Sequence, residues 1–314
     1  MALNALDRVE ILSLQDNYID MTAVDNTDIV RRARSVRDGE IRNSVQAEHG
    51  FSALVRLTRE GRTRTLLFDF GFSEHGTATN ADALDADLRD VELLVLSHGH
   101  SDHAGGLKRL AAKIGRKPID LVLHPAAFKD NRYITRRGVK DRMPLLSREA
   151  LEAMGIRIVA TREPLPLLGG DALFLGEIRR ETPFEKGMPH AFVIEGGKET
   201  WDPIEEDSSI AMNLRGKGLV VVSGCAHSGI VNTVRHAMAV TGIGKVHAVM
   251  GGFHLSGPVF EPVIGPTAEA LRKIGPAHII PCHCTGRKAS REIERAMPGQ
   301  FILNMSGTTL TFQA

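Results

Sequence analysis

Three histidines and one aspartate fall within residues 98–103, and their side chains could bind metal ions. In chain order they are His98, His100, Asp102 and His103. Imidazole and carboxylate groups suit a borderline divalent cation such as Zn2+, Mn2+ or Fe2+. Alternate side chains of a loop can point at two centres, so the first two histidines could bind one ion, and Asp102 with His103 another. A polar turn with Asp102 as a helix cap is the alternative, but such a turn needs no run of histidines.

The segments on either side of this cluster predict the elements that position it. Residues 91–96 form a nearly continuous apolar run, which is typical of a buried strand. Beyond the cluster, apolar residues recur at helical spacing: Leu107, Leu110, Ala111 and Ile114. The four candidate ligands therefore lie in a loop between a buried strand and an amphipathic helix.

The final third of the chain repeats this strand, loop and helix pattern three times. The predicted strands are 219–222, 246–250 and 278–281, and the predicted helices lie near 230–238, 267–274 and 287–297. Just beyond the three strands lie His227, His254 and His283. Open α/β sheets bind ligands at the carboxyl ends of their strands, so these histidines are expected to join the 98–103 cluster. Four others, within elements or turns, are interpreted as structural: His75, His236, His247 and His278.

Several motifs resemble the signature of the metallo-β-lactamase superfamily of metal-dependent hydrolases. They include His-x-His-x-Asp-His-Ala-Gly-Gly-Leu at 98–107 and Leu-Leu-Phe-Asp-Phe-Gly at 66–71. Two more are Gly-Cys-Ala-His-Ser-Gly at 224–229 and Pro-Cys-His-Cys-Thr-Gly at 281–286. These two, with Glu-His-Gly-Phe-Ser at 48–52, are most similar to the branch that includes the dihydropterin ribofuranosylaminobenzene-phosphate synthases.

The resemblance implies two divalent metal ions, taken as Zn2+, with Mn2+ or Fe2+ as alternatives. Carried over by motif, the ligands of the first ion are His98, His100 and His227. Those of the second are Asp102, His103 and His283. Two such cations lower the pKa of a bridging water and polarise the bond under attack, so hydroxide is the expected nucleophile. Asp102 would hold that hydroxide and could shuttle a proton.

The resemblance also suggests roles for three residues outside this ligand set. Asp69 would orient ligands through hydrogen bonds, although the local sequence equally permits a turn-capping aspartate. His49 is expected in the pocket on the resemblance alone. Many binuclear relatives place a bridging aspartate after a late strand, where this chain has Gly-Gly-Phe-His at 251–254. His254 is therefore a candidate proton donor, substrate contact or further ligand, with a solvated loop histidine as the alternative.

The three cysteines, Cys225, Cys282 and Cys284, all adjoin candidate ligand histidines but form no convincing disulfide framework. Neighbours on an extended segment point to opposite sides, so His283 should not share an ion with the two cysteines that flank it. All three are interpreted as small buried thiols packed beneath the metal loop.

Residues 129–142 carry an unusual run of positive charge within an expected insertion near 125–210. The cations are Lys129, Arg132, Arg136, Arg137, Lys140 and Arg142, opposed locally by Asp130 and Asp141. Arginine binds phosphate and carboxylate well, so this segment could steer a small anionic substrate to the centre. A solvated loop without that role is the alternative.

The amino-acid composition and net charge limit the kinds of protein that this chain could be. The 314 residues carry 42% hydrophobic residues and a formal charge of +1, which argues against nucleic-acid binding over the whole surface. No apolar run could span a bilayer, and residues 1–8 lack the features of a secretion signal, so the cytoplasm is the expected compartment. A single domain over 1–314 is expected, and the question of a homo-oligomer stays open.

The alternation of strands and amphipathic helices predicts an α/β protein, a four-layer αββα sandwich of the metallo-β-lactamase type. The first functional prediction is a binuclear metal-dependent hydrolase of a small anionic ester, lactone or phosphoester. A pterin-type condensing synthase is the second. A single-iron dioxygenase is the third, since dioxygenases occur on the fold that the chain resembles.

Overall fold

The computed structural model describes residues 1–34, 36–41 and 44–314, and the elements below are those of this described part. The strands are β1 Ala5–Leu6, β2 Arg8–Gln15, β3 Val30–Arg31, β4 Val36–Arg37, β5 Glu40–Ile41, β6 Ser52–Arg59, β7 Arg62–Phe68, β8 Val91–Val95, β9 Ile119–Leu123, β10 Arg132–Arg136, β11 Val139–Arg142, β12 Ile156–Ala160, β13 Leu165–Leu167, β14 Ala172–Phe174, β15 Ala191–Glu195, β16 Lys198–Trp201, β17 Ser209–Leu214, β18 Gly218–Ser223, β19 Val246–Gly252, β20 His278–Cys282 and β21 Thr309–Gln313. The α-helices are α1 Gly76–Ala83, α2 Ser101–Ala104, α3 Leu107–Ile114, α4 Arg148–Ala153, α5 Ile230–Thr241, α6 Glu261–Ile274 and α7 Arg287–Ala296.

Two large sheets face each other across the main core. The first has the strand order β12-β9-β8-β7-β6-β2-β21-β3, and the second has the order β13-β14-β17-β18-β19-β20, with β1 also paired to β17. Buried side chains from both sheets form one cluster, in which Phe68 and Leu310 of the first sheet pack with Val222 and Met250 of the second. This sheet-on-sheet core removes the largest apolar faces of both sheets from water.

Helices cover the outer face of each sheet. Helices α1, α3 and α4 pack on the first sheet, where Leu110 joins the cluster that contains Leu94. Helices α5, α6 and α7 pack on the second, through Val234, Leu271 and Ile293 among others. The structure therefore confirms the expected four-layer αββα sandwich.

Most of the expected elements are present, and the differences lie at helix ends. Helix α1 covers 76–83, and its buried Asn80 donates hydrogen bonds to the carbonyls of Leu14 and Gln46. Helix α6 begins at Glu261, six residues before the predicted start, and continues through Pro266. No helix of the described part is long and apolar enough to cross a membrane.

Parallel strands bring the candidate ligands to one edge of the sandwich. Strand β8 is parallel to β7 and β9, and residues 98–103 follow it. They were expected to form a loop, but Asp102 and His103 lie in the short helix α2. In the second sheet β18, β19 and β20 are parallel to one another, and they are followed by His227, His254 and His283. The strand ends of the two sheets thus supply ligands from opposite sides of the same cleft.

Residues 125–210, where an insertion is expected, contribute strands to three sheets. Strands β12, β13 and β14 from this range belong to the two large sheets. The separate part is a small antiparallel sheet with the order β11-β10-β15-β16. The basic run therefore includes a hairpin, β10 to β11, whose turn holds Arg137 and Gly138 at positive φ.

Candidate metal centre

The structure brings the predicted histidine ligands into one buried cluster. The ring centroids of His98 lie 4.2 Å from His103, 4.5 Å from His100 and 4.8 Å from His227, and those of His103 and His283 lie 4.9 Å apart. All five rings are at most 6% exposed. Histidines from three different strand ends, spread over almost 190 residues of sequence, thus share one site.

Asp69 and Ser97 fix the orientation of two of these rings. Asp69 accepts hydrogen bonds from the Ser97 N–H, the Ser97 hydroxyl and His103 Nδ1, each 2.7 Å long. Because an ionised carboxylate can only accept, the single Ser97 hydroxyl proton points to Asp69. Ser97 Oγ must then accept from His98 Nδ1, at 2.8 Å. Both rings hold a proton on Nδ1, which leaves Nε2 as the atom that can bind a cation.

Asn17 fixes the orientation of two further rings, those of His283 and His49. Its amide orientation is set by two backbone groups, since Oδ1 accepts from the Gly50 N–H at 3.1 Å and Nδ2 donates to the His283 carbonyl at 3.0 Å. His283 Nδ1, at 3.0 Å from Oδ1, must therefore be a donor. His49 Nδ1, at 3.0 Å from Nδ2, must be an acceptor, so the proton of His49 lies on Nε2, which contacts Asp102 Oδ2 at 3.2 Å.

This network leaves His283 with an unprotonated Nε2 that faces a carboxylate. The atom lies 3.3 Å from Asp102 Oδ2 and, like His227 Nδ1, is buried without a hydrogen-bond partner. A nitrogen lone pair repels a carboxylate oxygen unless a cation lies between them, and a buried polar atom without a partner is costly. The geometry therefore fits a metal ion at this point.

Three of the five rings are held in the neutral form that binds metals. Burial holds the pKa of His98, His100 and His227 well below the usual value, so these rings are neutral. Burial raises the pKa of Asp102, but the charge of His103 and the hydrogen bond from His49 outweigh it and lower that pKa. Burial also opposes the charge on His103, yet Asp69 and Asp102 raise its pKa to about 9, so a metal ion would displace a proton there.

The ligand atoms form two groups that overlap the predicted sets. Asp102, His103 and His283 lie in one group, whose atoms are within 4.8 Å of one another, and His98 with His227 lies in another. His100 is outside both groups, but its ring centroid is 4.8 Å from that of His227. The structure thus brings the six predicted ligands close together, and their division between two ions stays a prediction.

Cys225 belongs to both groups, although the sequence analysis did not include it among the candidate ligands. Its sulfur lies 3.1 Å from His103 Nε2 and 3.2 Å from the sulfur of Cys284. The three thiols are buried as expected, and the Cys225 sulfur also lies among the ligand atoms. The signal available in the sequence was its place two residues before His227, in the loop that follows the predicted strand 219–222.

Gly224 is required by the close packing behind the cluster. A Cβ at this position would lie 2.7 Å from Asp69 Oδ2 and still closer to Ser97 Oγ. Real Cβ atoms do not come so near to other heavy atoms. The small residue in the Gly-Cys-Ala-His motif therefore allows the 224–227 loop to approach the Asp69–Ser97 network.

A cavity of about 540 Å³ opens beside the cluster, and its walls are mainly aromatic and apolar. His227 and His254 belong to its lining, together with the aromatic side chains Phe184, Phe192, Trp201, Phe253 and Phe260. Trp201 is the single tryptophan of the chain. The cavity thus offers flat apolar surfaces directly next to a candidate metal ligand.

His254 stands at the junction between this cavity and the histidine cluster. Its ring centroid lies 4.3 Å from that of His227 and 5.0 Å from that of Phe260. Its Nδ1 is buried without a hydrogen-bond partner, and the residue has a positive φ of 44°. This position agrees better with a substrate contact or an extra ligand than with a solvated loop histidine.

Two charged residues line the cavity, and their surroundings differ. The Glu185 carboxylate accepts hydrogen bonds from the N–H groups of Val231 and Asn232, both 2.9 Å long, at the start of α5. Helix N-termini favour such an anion, so Glu185 is committed to the helix. Lys186 has no ion-pair partner within the described residues, and is available to a ligand.

Most of the basic run at 129–142 is neutralised by acidic side chains. The pairs are Lys129 with Glu205, Arg132 with Asp202 and Glu206, Lys140 with Glu199, and Arg142 with Asp130. For Arg136 and Arg137 the described part of the chain shows no ion pair. Any steering of anions by this hairpin therefore depends on these two arginines.

The fold and the ligand cluster together define a class of metalloprotein, and comparison with known proteins agrees. The chain belongs to the metallo-β-lactamase superfamily, which residues 46–231 match. Over 248 residues it is 34% identical to the 7,8-dihydropterin-6-methyl-4-(β-D-ribofuranosyl)-aminobenzene-5'-phosphate synthase of Methanocaldococcus jannaschii, an alignment that covers 77% of this chain and 83% of the relative.

Two solved structures share the fold. Tm1679, described as a metal-dependent hydrolase of the β-lactamase superfamily, has a TM-score of 0.72 at 24% identity, with 98% of this chain and 100% of that chain covered. YhfI of Bacillus subtilis, a metallo-β-lactamase fold protein, has a TM-score of 0.51 at 11% identity, with 98% and 100% covered. At these identities the likeness concerns architecture.

Proposed function

We propose that this chain is a metal-dependent synthase of the pterin-condensing type. The observation that carries the proposal is the aromatic cavity beside His227 and His254. A flat heteroaromatic ring gains about 0.5–1.5 kcal/mol from each well-placed aromatic neighbour beyond its apolar burial. The M. jannaschii relative is named for a product with a dihydropterin and an aminobenzene group, both of which are flat.

The metal ions belong to the cluster that borders this cavity. His98, His100 and His227 would hold one divalent cation, and Asp102, His103 and His283 the other, with Zn2+ as the expected metal. When bound, such cations polarise the reacting bond and neutralise developing negative charge. Nitrogen and oxygen donors in this number, with tautomers set by Asp69, Ser97 and Asn17, support the assignment.

His49 would hold the Asp102 carboxylate in place from the solvent side of the centre. The His49 Nε2–H donates to Asp102 Oδ2 at 3.2 Å, and the His49 side chain is 56% exposed. Asn17 keeps His49 in this tautomer, because its amide N–H occupies His49 Nδ1. With its proton on Nε2, His49 is a hydrogen-bond donor to Asp102 and cannot accept a proton from it.

His254 would contact the substrate where the cavity meets the centre. Its unpartnered Nδ1 can hold or accept a proton at the reacting end of a ring that is stacked among Phe253 and Phe260. Lys186, together with Arg136 and Arg137, would supply positive charge for an anionic group on the substrate. The substrate is thus proposed to be a small anionic molecule with a flat ring.

A metal-dependent hydrolase of a small anionic ester, lactone or phosphoester is the second candidate. The exposure of His49 favours it, because solvent water can reach Asp102 beside this ring. Both candidates require two metal ions. Metal analysis of purified protein that finds one iron per chain would favour dioxygenase chemistry over either of them.

The fluorescence of Trp201 tests the substrate class directly. We expect 7,8-dihydropterin to quench this single tryptophan in a saturable manner, and an aliphatic phosphate of similar size to leave it unchanged. Phe260→Ala should weaken dihydropterin binding by about tenfold, equivalent to ~1.4 kcal/mol. Phe128→Ala, which alters a partly buried phenyl ring outside the cavity lining, serves as the control.

Product analysis separates the two candidates. The metal-loaded protein is incubated with an activated dihydropterin and a ribosylated aminobenzene phosphate, and in parallel with aryl esters and phosphodiesters. A coupled product with little hydrolysis supports the synthase. Efficient ester hydrolysis without quenching of Trp201 by dihydropterin would overturn it in favour of the hydrolase.

A further inference from the structure

We infer that Cys225 is itself a metal ligand and that its sulfur bridges the two ions of the centre. The inference rests on the proposed two-ion centre and is independent of the proposed substrate. Many binuclear relatives have a bridging aspartate, but the corresponding turn of this chain, 251–254, supplies no carboxylate. The Cys225 thiolate would take that bridging role.

The position of the sulfur carries the inference. Cys225 Sγ lies within 4.8 Å of the ligand atoms of Asp102, His103 and His283, and also of those of His98 and His227. It is 3.1 Å from His103 Nε2, the atom left to bind a cation once Asp69 holds Nδ1. Within the described residues, Cys225 is common to both groups.

The carboxylates nearby do not compete for the bridging position. The Asp69 oxygens are engaged by Ser97 and His103, behind the ligands. Asp102 presents Oδ2 to His49 and His283, on the side of the second ion. A centre built from these side chains has one remaining anionic donor with access to both ions, and this donor is the Cys225 thiolate.

The chemistry of sulfur agrees with this place. Thiolates are strong ligands for zinc, and metal-bound thiols lose their proton outright. The Cys284 S–H lies 3.2 Å from Cys225 Sγ and can donate to it, as outer partners of a ligating sulfur commonly do. Cys284, which forms a third group of possible ligand atoms with Cys225 and His254, is assigned the role of this outer partner.

X-ray absorption on the zinc-loaded wild-type protein tests the inference without a mutation. A bridging thiolate gives each zinc one sulfur neighbour at about 2.3 Å, so the average is one sulfur per zinc. An average near one half would mean a terminal thiolate on one ion and would overturn the bridge. Zinc bound at two ions per chain without sulfur would overturn the inference while the proposed centre stands.

Cobalt substitution identifies which cysteine is responsible. We expect the Co2+-loaded wild type to show a sulfur-to-cobalt charge-transfer band in the near ultraviolet. The band should vanish in Cys225→Ser and persist in Cys284→Ser and in the control Cys282→Ser, whose thiol is buried but outside every ligand group. Loss of the band in Cys284→Ser with retention in Cys225→Ser would overturn the assignment.

A carboxylate variant distinguishes the loss of a metal ligand from simple misfolding. Cys225→Ser should bind fewer than two ions per chain, whereas Cys225→Asp should recover two ions without the charge-transfer band. Circular dichroism confirms that each variant is folded before metal is counted. If Cys225→Ser, once folded, still bound two Co2+ ions with the band intact, the sulfur could not be a ligand.

Discussion

At the scale of single residues, Asn17 is the clearest example of a side chain that controls the centre without belonging to it. Two backbone groups fix its amide, and the amide then fixes the tautomers of His283 and His49. Side chains that orient ligands in this way commonly contribute a factor of about 10–100 in metal affinity.

Asn17→Ala is therefore expected to weaken binding of the second ion by about 10–100-fold, with a smaller effect on the first. Competition with a chromophoric chelator measures the two affinities separately. Asn213→Ala is the control, because Asn213 pairs with Leu219 at the end of β17 remote from the centre. Equal affinities in wild type and Asn17→Ala would show that His283 holds its tautomer without help.

Gly224 provides a second prediction at this scale, since any Cβ there would press on Ser97 Oγ and Asp69 Oδ2. Gly224→Ala should lower the free energy of unfolding by about 1–3 kcal/mol and also weaken metal binding. Gly244→Ala is the matched control, because a Cβ at that position has no atom within 4 Å. Urea unfolding with and without zinc gives both quantities, and similar losses in the two variants would contradict the steric argument.

At the scale of elements, buried ion pairs of Arg132 join the small sheet of β10, β11, β15 and β16 to residues 202–206, which lead into β17. Arg132 bonds Asp202 Oδ2 at 2.6 Å and also pairs with Glu206, and all three side chains are at most 5% exposed. Arg132, the most buried cation of the basic hairpin, is thus paired within the protein and is not free to bind an anionic substrate.

Arg132→Met should destabilise the protein by about 3–5 kcal/mol, because it leaves two carboxylates buried without their partner. Arg142→Met, which removes an exposed pair with Asp130, should cost less than about 1 kcal/mol. Chemical unfolding measures both. If the two variants were equally stable, the Arg132 pair could not be the attachment of the small sheet.

The remaining two arginines of the hairpin allow a test of anion steering. Arg136→Gln combined with Arg137→Gln should lower kcat/KM for an anionic substrate selectively, with the larger loss at low salt. A neutral analogue, and a Lys198→Gln variant on strand β16 at the far edge of the same sheet, serve as controls. Parallel changes for the charged and neutral compounds would show that the hairpin is ordinary surface.

At the scale of the whole molecule, the metal ions would join the two sheets at their shared edge. His98, His100, Asp102 and His103 follow a strand of the first sheet, whereas His227 and His283 follow strands of the second. A ligand that binds only the folded state stabilises it, by about 2.7 kcal/mol for each site at a free concentration one hundred times Kd.

Removal of the metal by a chelator should therefore lower the Tm clearly, and added zinc should restore it. Differential scanning calorimetry of the metal-free and reloaded protein measures the shift. His283→Ala and His227→Ala should each show a smaller shift than the wild type, because one ion is lost. A Tm that is the same with and without zinc would mean that the two sheets are not linked through the centre.

The sequence by itself determined the order of the elements and the identity of most candidate ligands. Buried parallel strands read as apolar runs such as 91–96 and 219–222, and the histidines follow them within a few residues. Both signals are local in the sequence, so they can be recognised without knowledge of the fold. The layered sandwich followed from them, whereas the grouping of the ligands into two sets was implied by the resemblance to the metallo-β-lactamase superfamily.

The tertiary structure decided which side chains meet across long separations. The Cys225 sulfur between two ligand groups, Asn17 behind His283, and Glu199 opposite Lys140 depend on how loops from distant strands come together. The aromatic cavity likewise combines residues 184–201 with 253–263. Hydrogen bonding and charge pairing act over a few ångströms and are set by packing in three dimensions, so no local periodicity in the chain encodes them.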